Sequence, residues 1–142
     1  MIATVRLSGL SMHLLNRALT RASLRLRRGC LLTWFVLATL ALLLPLPESW
    51  HSLEQQATLP LDKLAHLLGT LVGAMLAHWA GWRPTRNLLV WTVYAAGMEG
   101  VQGATGYRAA DGLDFVAALG GLVLGLGLAA VLLPATGLEH EA

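Results

Sequence analysis

The sequence predicts an all-α fold, a polytopic membrane helix bundle with four transmembrane helices, on the basis of three observations. Hydrophobic residues make up 56% of the 142 residues and charged residues only 13%, which is outside the usual range of a soluble domain. The apolar residues gather in four runs separated by polar or proline-containing segments. Arginines are concentrated before the first run and between the second and third, a pattern typical of cytoplasmic segments.

Residues 1–28 form a basic leader that carries six arginines and no acidic residue. A basic amphipathic segment binds the anionic cytoplasmic surface of a membrane, and a disordered cytoplasmic leader is the alternative. Met12 is a second candidate for the first residue. Because the remainder of the chain is apolar, the basic charge indicates membrane lipid rather than nucleic acid as the partner.

The membrane domain is predicted over residues 29–134, and its boundaries follow the apolar runs. A retained anchor is favoured over a cleaved signal peptide for the first run, because no small-x-small cleavage site follows it. The third run is about 15 residues long, which is short for a bilayer crossing. Pro134 ends the last run, and residues 135–142 form a cytoplasmic tail. The four predicted spans cover about 30–46, 64–82, 88–102 and 113–133.

The orientation of the spans follows from the basic residues. Eight of the ten lie in the leader and in the short segment 81–87, and the positive-inside rule places both segments in the cytoplasm. With four spans, both termini are then cytoplasmic, and segments 45–61 and 103–112 face outward. The predicted location is the bacterial inner membrane, which the chain crosses several times.

Small residues line one face of two predicted spans. Gly69, Gly73 and Ala77 recur every four residues in the second span, and Gly121 and Gly125 repeat the spacing in the fourth. Small residues at this spacing allow membrane helices to approach closely. We therefore expect Gly73 and Gly125 to lie where helix backbones meet.

Eight polar residues are predicted to lie at the outer ends of the spans, at one depth. Ionisable groups beside a bilayer are costly, so such a cluster indicates a functional site. Helical spacing puts Asp62 and His66 on one side of the second span, and Glu99 and Gln102 on one side of the third. The cluster comprises Asp62, Lys63, His66, Glu99, Gln102, Arg108, Asp111 and Asp114.

The residue types in this cluster suit acid–base chemistry next to a bound anion. Glu99 is a candidate general acid or base, His66 a candidate proton shuttle or nucleophile, and Asp114 the third catalytic candidate. Arg108 and Lys63 are suited to bind phosphate. Whether the chain is an enzyme stays open at this point. The predicted ligand-binding residues are Asp62, Lys63, Gln102, Arg108 and Asp111.

Two other interpretations of the cluster stay open. Its carboxylates and His66 offer ligands for a divalent metal ion, but no tight ligand motif is present, so no cofactor is predicted and a metal is not favoured. Alternatively the cluster is structural: ion pairs of Arg108 with Glu99, or of Lys63 with Asp114, would fasten the helices of a non-catalytic membrane protein. A channel or transporter is disfavoured, since polar groups at one end offer no path across.

The order and spacing of three motifs resemble those of VanZ-like integral membrane proteins. The motifs are Asp62-Lys63-Leu-Ala-His66, Glu99-Gly-Val-Gln102 and Arg108-Ala-Ala-Asp111-Gly-Leu-Asp114. The resemblance covers roughly residues 30–133, and it has one difference, Ala118 where the family usually has asparagine. It implies a cell-envelope protein, and the founding member is linked to teicoplanin resistance, an antibiotic-resistance role. The expected ligand is an anionic lipid or a lipid-linked envelope precursor.

Overall fold

The computed structural model describes residues 23–44, 60–105 and 111–133, and these form four α-helices. The predicted all-α class is confirmed for these ranges, which contain no strand. The basic leader up to residue 22, the connector 45–59, the segment 106–110 and the tail lie outside the described residues. The helices are α1 Leu24–Leu43, α2 Leu61–Trp79, α3 Pro84–Thr105 and α4 Gly112–Leu132.

α1 begins at Leu24, well before the predicted start of the first span at residue 30. The hydropathy pattern marks only the apolar part of this helix, whereas the arginines of its first turns also have a good helix propensity. Ser23 caps the helix by accepting a hydrogen bond from the Leu26 N–H at 3.3 Å. α1 ends at Leu43 because Pro45 follows, and the residue before a proline disfavours the α conformation.

α3 is longer than predicted. It runs over 22 residues from Pro84 to Thr105, or about 33 Å, and so extends beyond both ends of the predicted span 88–102. Proline is well tolerated in the first turn of a helix, and residues 84–87, which belong to the predicted cytoplasmic segment 81–87, are helical. Gly81 makes the turn between α2 and α3 with a φ of 85°, a conformation that favours glycine.

Successive helices run in opposite directions. At one end of the bundle, Arg27 in the first turn of α1 donates a hydrogen bond to the Trp79 carbonyl at the end of α2, at 3.3 Å. At the other end, Gln102 in the last turn of α3 donates to the Leu42 carbonyl near the end of α1, at 2.8 Å. α2 and α4 both begin at that second end, where an ion pair joins their first turns.

Charge is divided between the two ends of the bundle. All the described arginines lie at one end, here called the arginine end, and all the described carboxylates lie at the other, the carboxylate end, with Lys63 among them. The separation of Lys63 from Trp79 along α2 corresponds to about 24 Å. The arginine end contains Arg25, Arg27, Arg28, Arg83 and Arg86, and the carboxylate end contains Asp62, Glu99, Asp111 and Asp114.

A close backbone contact joins α2 to α4, which run parallel. A methyl group added at Gly121 would overlap the Leu67 carbonyl oxygen, and one added at Gly125 would overlap the Leu71 carbonyl oxygen. Thr70 bridges the same interface, because its hydroxyl donates to the Ala118 carbonyl at 2.7 Å. The small-residue stripe of the fourth predicted span is therefore a packing face, as expected.

Gly73 has a different neighbour from the one predicted. It faces the indole of Trp91 on α3, which an added methyl group would overlap, rather than a helix backbone. The expectation that Gly73 meets another backbone is wrong because this large ring, only 2% exposed, fills the space that a side chain would take. Gly69 has room for a methyl group, and its carbonyl accepts a hydrogen bond from Trp34 Nε1 at 2.9 Å.

Large apolar side chains cover much of the outer surface of the bundle. Leu89, Val93 and Val131 are 66%, 70% and 82% exposed. By length and composition, α1 and α4 are each able to cross a membrane. Soluble monomers rarely expose apolar patches beyond a few hundred Å², so the surface of this bundle is suited to contact lipid or a partner.

Replacing Gly125 with leucine should destabilise the bundle, because the new side chain would collide with the backbone of α2. Gly127→Leu is the matched control, since its position on α4 is open and leucine is favoured over glycine in a helix by about 0.8 kcal/mol. Thermal unfolding of both variants in detergent, followed by circular dichroism, measures the difference. Equal Tm values for the two variants would show that this face of α4 does not pack on α2.

Candidate functional site

The polar groups of the carboxylate end come from three helices. Asp62 and Lys63 lie in the first turn of α2, Asp111 is the N-cap of α4, and Glu99 lies towards the end of α3. Because α2 and α4 run parallel in close contact, their first turns are neighbours. Asp111 begins α4 in the usual way, since its Oδ1 accepts a hydrogen bond from the Leu113 N–H at 2.9 Å.

Lys63 bridges two carboxylates at the start of α4. Its Nζ lies 2.5 Å from Asp111 Oδ2 and 2.9 Å from Asp114 Oδ1. The Asp114 side chain is only 4% exposed, whereas that of Asp111 is 42% exposed. The pair of Lys63 with Asp114 considered from the sequence is therefore present. An ammonium engaged by two carboxylates is already neutralised, so Lys63 is less suited to bind a ligand phosphate than the sequence indicated.

The ion pairs shift the pKa values of Lys63 and Asp111, which lie just before the second and fourth predicted spans. Hydrogen bonds to Asp111 and Asp114 raise the pKa of Lys63 above its ordinary value. The Lys63 ammonium, followed by the Leu113 N–H, lowers the pKa of Asp111 below its ordinary value. The contribution of Asp111 to stability is therefore present above the ordinary pKa of an aspartate and is lost as the pH falls through the lowered one.

Glu99 joins the cluster from the opposite side. Its Oε2 accepts a hydrogen bond from the Asp111 N–H at 3.1 Å, and its Oε1 lies 3.8 Å from His66 Nδ1. That second distance is too long for a hydrogen bond, but catalytic pairs are often loose before the substrate binds. Glu99 Oε1 is buried and accepts no hydrogen bond from the described residues. This oxygen is placed to take up a proton or a donor group.

Asp62, His66 and Asp114 approach one another on the inner side of the cluster. One ligand-type atom from each lies within 4.8 Å of the other two. Carboxylate and imidazole groups bind divalent metal ions, so the donor types fit a metal. Asp114 is already bonded to the Lys63 ammonium, which a metal ion would have to displace or share.

One of the predicted ligand-binding residues has a partner outside this cluster, and another lies outside the described residues. Gln102 is buried, but its amide donates to the Leu42 carbonyl of α1 at 2.8 Å, so it ties α1 to α3 instead. The spacing of three residues from Glu99 turns its side chain far enough around α3 to reach a different helix. Arg108 lies outside the described residues, and with it the predicted pair of Arg108 with Glu99.

Ala118 lies beside the cluster on the helix that carries Asp114. It is 1% exposed, and together with His66 and Tyr94 it lines a small cavity of about 10 Å³. This volume corresponds to about one water molecule. The small side chain of Ala118 leaves this room next to His66.

Thr70 and Asn87 are buried polar residues that the sequence analysis did not single out. Thr70 follows His66 by one helical turn and bonds the Ala118 carbonyl at 2.7 Å. Asn87 is fully buried near the arginine end, and its amide donates to the Ala74 carbonyl at 2.8 Å. The signal for Thr70 is its position four residues after His66 on the same helix face. Asn87 gives no such signal, because it lies in the basic segment 81–87, outside the apolar runs.

Comparisons with known proteins found no match to this chain among protein-family models, curated proteins or solved structures. The resemblance to VanZ-like proteins therefore depends on the three motifs themselves. Function is inferred from the geometry of the cluster.

Replacing Lys63 with methionine should destabilise the protein more than replacing Asp111 with asparagine. Without Lys63, the buried carboxylate of Asp114 loses its cation, and an uncompensated buried charge costs roughly 3–5 kcal/mol. Asp111 is much more exposed, so water stabilises whatever is left unpaired there. Thermal unfolding in detergent measures both losses.

The double variant Lys63→Met with Asp114→Asn is the control for this experiment. Removing both members of a buried pair leaves no unpaired charge, so the double variant should be more stable than Lys63→Met alone. A double variant that is less stable than both Lys63→Met and Asp114→Asn would contradict the pairing of Lys63 with Asp114.

Proposed function

We propose that the chain is a four-span, VanZ-like protein of the bacterial inner membrane, with its carboxylate end outward and both termini in the cytoplasm. The helices have 19 to 22 residues, and a 19-residue helix is about 29 Å long, close to the thickness of the hydrocarbon core. They alternate in direction, as successive membrane spans must. The arginine end agrees with the positive-inside rule, and the exposed apolar side chains would face lipid.

We infer that the polar cluster binds, and acts on, a phosphate-bearing lipid or a lipid-linked envelope precursor. The observation that carries this proposal is the approach of Glu99 to His66 from two different helices, at 3.8 Å, beside further carboxylates. Polar contacts between membrane helices stabilise a bundle by only about 0.6 kcal/mol on average. A cluster of this size is therefore larger than helix association requires, and ionisable groups at such a position indicate a site.

The residues of the cluster would have different roles in binding the ligand and in proton transfer. Glu99 and His66 would exchange a proton with the ligand, since the buried Oε1 of Glu99 has no donor among the described residues. Lys63 holds Asp111 and Asp114 in place. The carboxylate end has four carboxylates and one lysine among the described residues and would repel a phosphate, so binding needs another positive charge. Arg108, close before Asp111 in the sequence, would supply it, bidentately.

A divalent metal ion would be a second source of positive charge for a phosphate. Asp62, His66 and Asp114 have the donor types and the proximity to hold one. A bound ion would neutralise the carboxylates and present open positions to phosphate oxygens.

A purely structural role is the second candidate, because one specific observation favours it. Lys63 ties the first turn of α2 to that of α4 through two short ion pairs. Intramembrane charges are usually paired in this way. Under this interpretation the cluster fastens the helices of a non-catalytic membrane protein, and the loss of any member lowers stability without a separate loss of activity.

The orientation is tested by cysteine labelling in a Cys30→Ser background. With both termini cytoplasmic, Ser52→Cys should react with a membrane-impermeant reagent added to intact cells, and Thr85→Cys should not. Thr85 lies in the exposed first turn of α3, and it should react only after the membrane is permeabilised. Labelling of Thr85→Cys but not of Ser52→Cys in intact cells would reverse the orientation and put the polar cluster in the cytoplasm.

Glu99→Gln separates the two candidate roles. The glutamine oxygen can still accept the Asp111 N–H hydrogen bond, so the fold should be kept, whereas the side chain can no longer take up a proton. We expect a Tm close to that of the unchanged protein together with loss of the glycopeptide-resistance phenotype in a host that depends on this protein. A lower Tm with the phenotype kept would favour the structural role.

Binding of the proposed ligand is measured with polyprenyl phosphate as the probe, by native mass spectrometry of the purified protein. Arg108→Ala should bind one equivalent of the probe fewer than the unchanged protein does. Arg83→Ala is the control, since this exposed arginine lies at the arginine end. The Arg83→Ala variant should bind the probe as the unchanged protein does. Equal binding by both variants would remove Arg108 from the phosphate site.

A further inference from the structure

A groove of about 520 Å³ lies at the arginine end, between α1, α3 and the turn that joins α2 to α3. Its volume is in the range of small-molecule and cofactor sites. It is separate from the polar cluster, which lies at the other end of the bundle. Below it is called the arginine-end groove, and its main lining residues are Arg28, Leu32, Phe35, Trp82, Arg86 and Val90.

The rim of the groove is basic. Arg28 and Arg86 lie near the N-terminal ends of α1 and α3, and the Arg86 guanidinium lies 4.3 Å from the centre of the Trp82 ring. Neither arginine forms an ion pair with a carboxylate of the described residues, whose acidic side chains are all at the opposite end. The N-terminal ends of both helices add partial positive charge at this rim. The rim therefore attracts an anion.

The floor of the groove is apolar. Leu32 and Phe35 follow Arg28 on the same face of α1, one and two helical turns further from the arginine end, and Val90 follows Arg86 in the same way on α3. Leu32 is 65% exposed and Val90 is 38% exposed. The groove thus presents two guanidinium groups at the level of the helix ends and a hydrocarbon surface directly below them.

We propose that the arginine-end groove binds one anionic phospholipid, with the lipid phosphate between Arg28 and Arg86 and an acyl chain along Leu32, Phe35 and Val90. Basic pockets between membrane helices on the cytoplasmic side bind anionic headgroups, and arginine binds phosphate oxygens bidentately. The inference rests on the membrane placement proposed above but not on the activity of the polar cluster.

Other occupants fit the groove less well. A free phosphate ion would satisfy the arginines but would leave the apolar floor uncovered. The basic leader of this chain, with its arginines at 6, 17 and 21, would be repelled by the rim. The phospholipid alone matches both the charge of the rim and the surface of the floor.

Native mass spectrometry of the full-length protein in detergent tests the proposal. Phosphatidylglycerol and phosphatidylcholine with the same acyl chains are added in equal amounts. We expect phosphatidylglycerol to bind preferentially, and the double variant R28Q/R86Q to bind it about 30-fold more weakly, because each arginine near an anionic headgroup contributes about fivefold. The double variant R25Q/R83Q removes the same charge from the same end and should bind as the unchanged protein does.

A second variant tests the groove without a change of charge. Leu32→Trp, at a mostly exposed position, would fill the floor and should also weaken phosphatidylglycerol binding while leaving the Tm unchanged. Binding that persists in both R28Q/R86Q and Leu32→Trp would overturn the proposal.

Four other outcomes would also overturn it, each pointing to a different explanation. Equal losses in R28Q/R86Q and R25Q/R83Q would mean diffuse charge attraction, and displacement of the lipid by inorganic phosphate would mean an anion site. Lipid binding only after residues 135–142 are removed would mean that the acidic tail occupies the groove. Dependence on Arg108 would place the lipid at the opposite end. Failure to retain either phospholipid in any variant would instead contradict the membrane placement itself.

Discussion

Gly121 and Gly125 allow α4 to lie directly against the backbone of α2, and the arrangement of the carboxylate end depends on that contact. Because the two helices are parallel, their first turns meet, and Lys63 reaches both Asp111 and Asp114. The carbonyl of Ala118 then faces the hydroxyl of Thr70, which makes the interface polar as well as close. With a side chain at either glycine, the helices would separate and the ion pairs of their first turns would be lost.

Much of the fold follows from the sequence because apolar runs, proline and glycine act locally. Four helices were predictable from hydropathy, and the contact at Gly125 from the spacing of small residues. The first turns of α1 and α3 were not, since arginine and proline are compatible with a helix but interrupt an apolar pattern. The neighbour of Gly73 was also not predictable, because spacing shows that a face is small without showing whether a backbone or an indole fills it.

The candidate site was predictable to a similar extent. Shared depth and helix face brought Asp62, His66 and Asp114 together correctly. Gln102 shows the limit of that argument. A spacing of three residues keeps two side chains on roughly the same face of a helix, but one face of a helix in a bundle can contact two different neighbouring helices. The amide of Gln102 consequently bonds α1, while Glu99 faces α2 and α4.

The Trp91 indole on α3 packs against Gly73 on α2 and restricts how the two helices can slide along each other. A shear of one turn, about 5.4 Å, would move the indole either towards Ala77, whose methyl group occupies the space, or towards Gly69, which has room for a methyl group. The Trp91 indole therefore opposes a slide of α3 in the direction of Ala77. His66 and Glu99 lie about 11 Å further along these same two helices, so an aromatic ring near the middle of the bundle influences the register at which an imidazole and a carboxylate meet at its end.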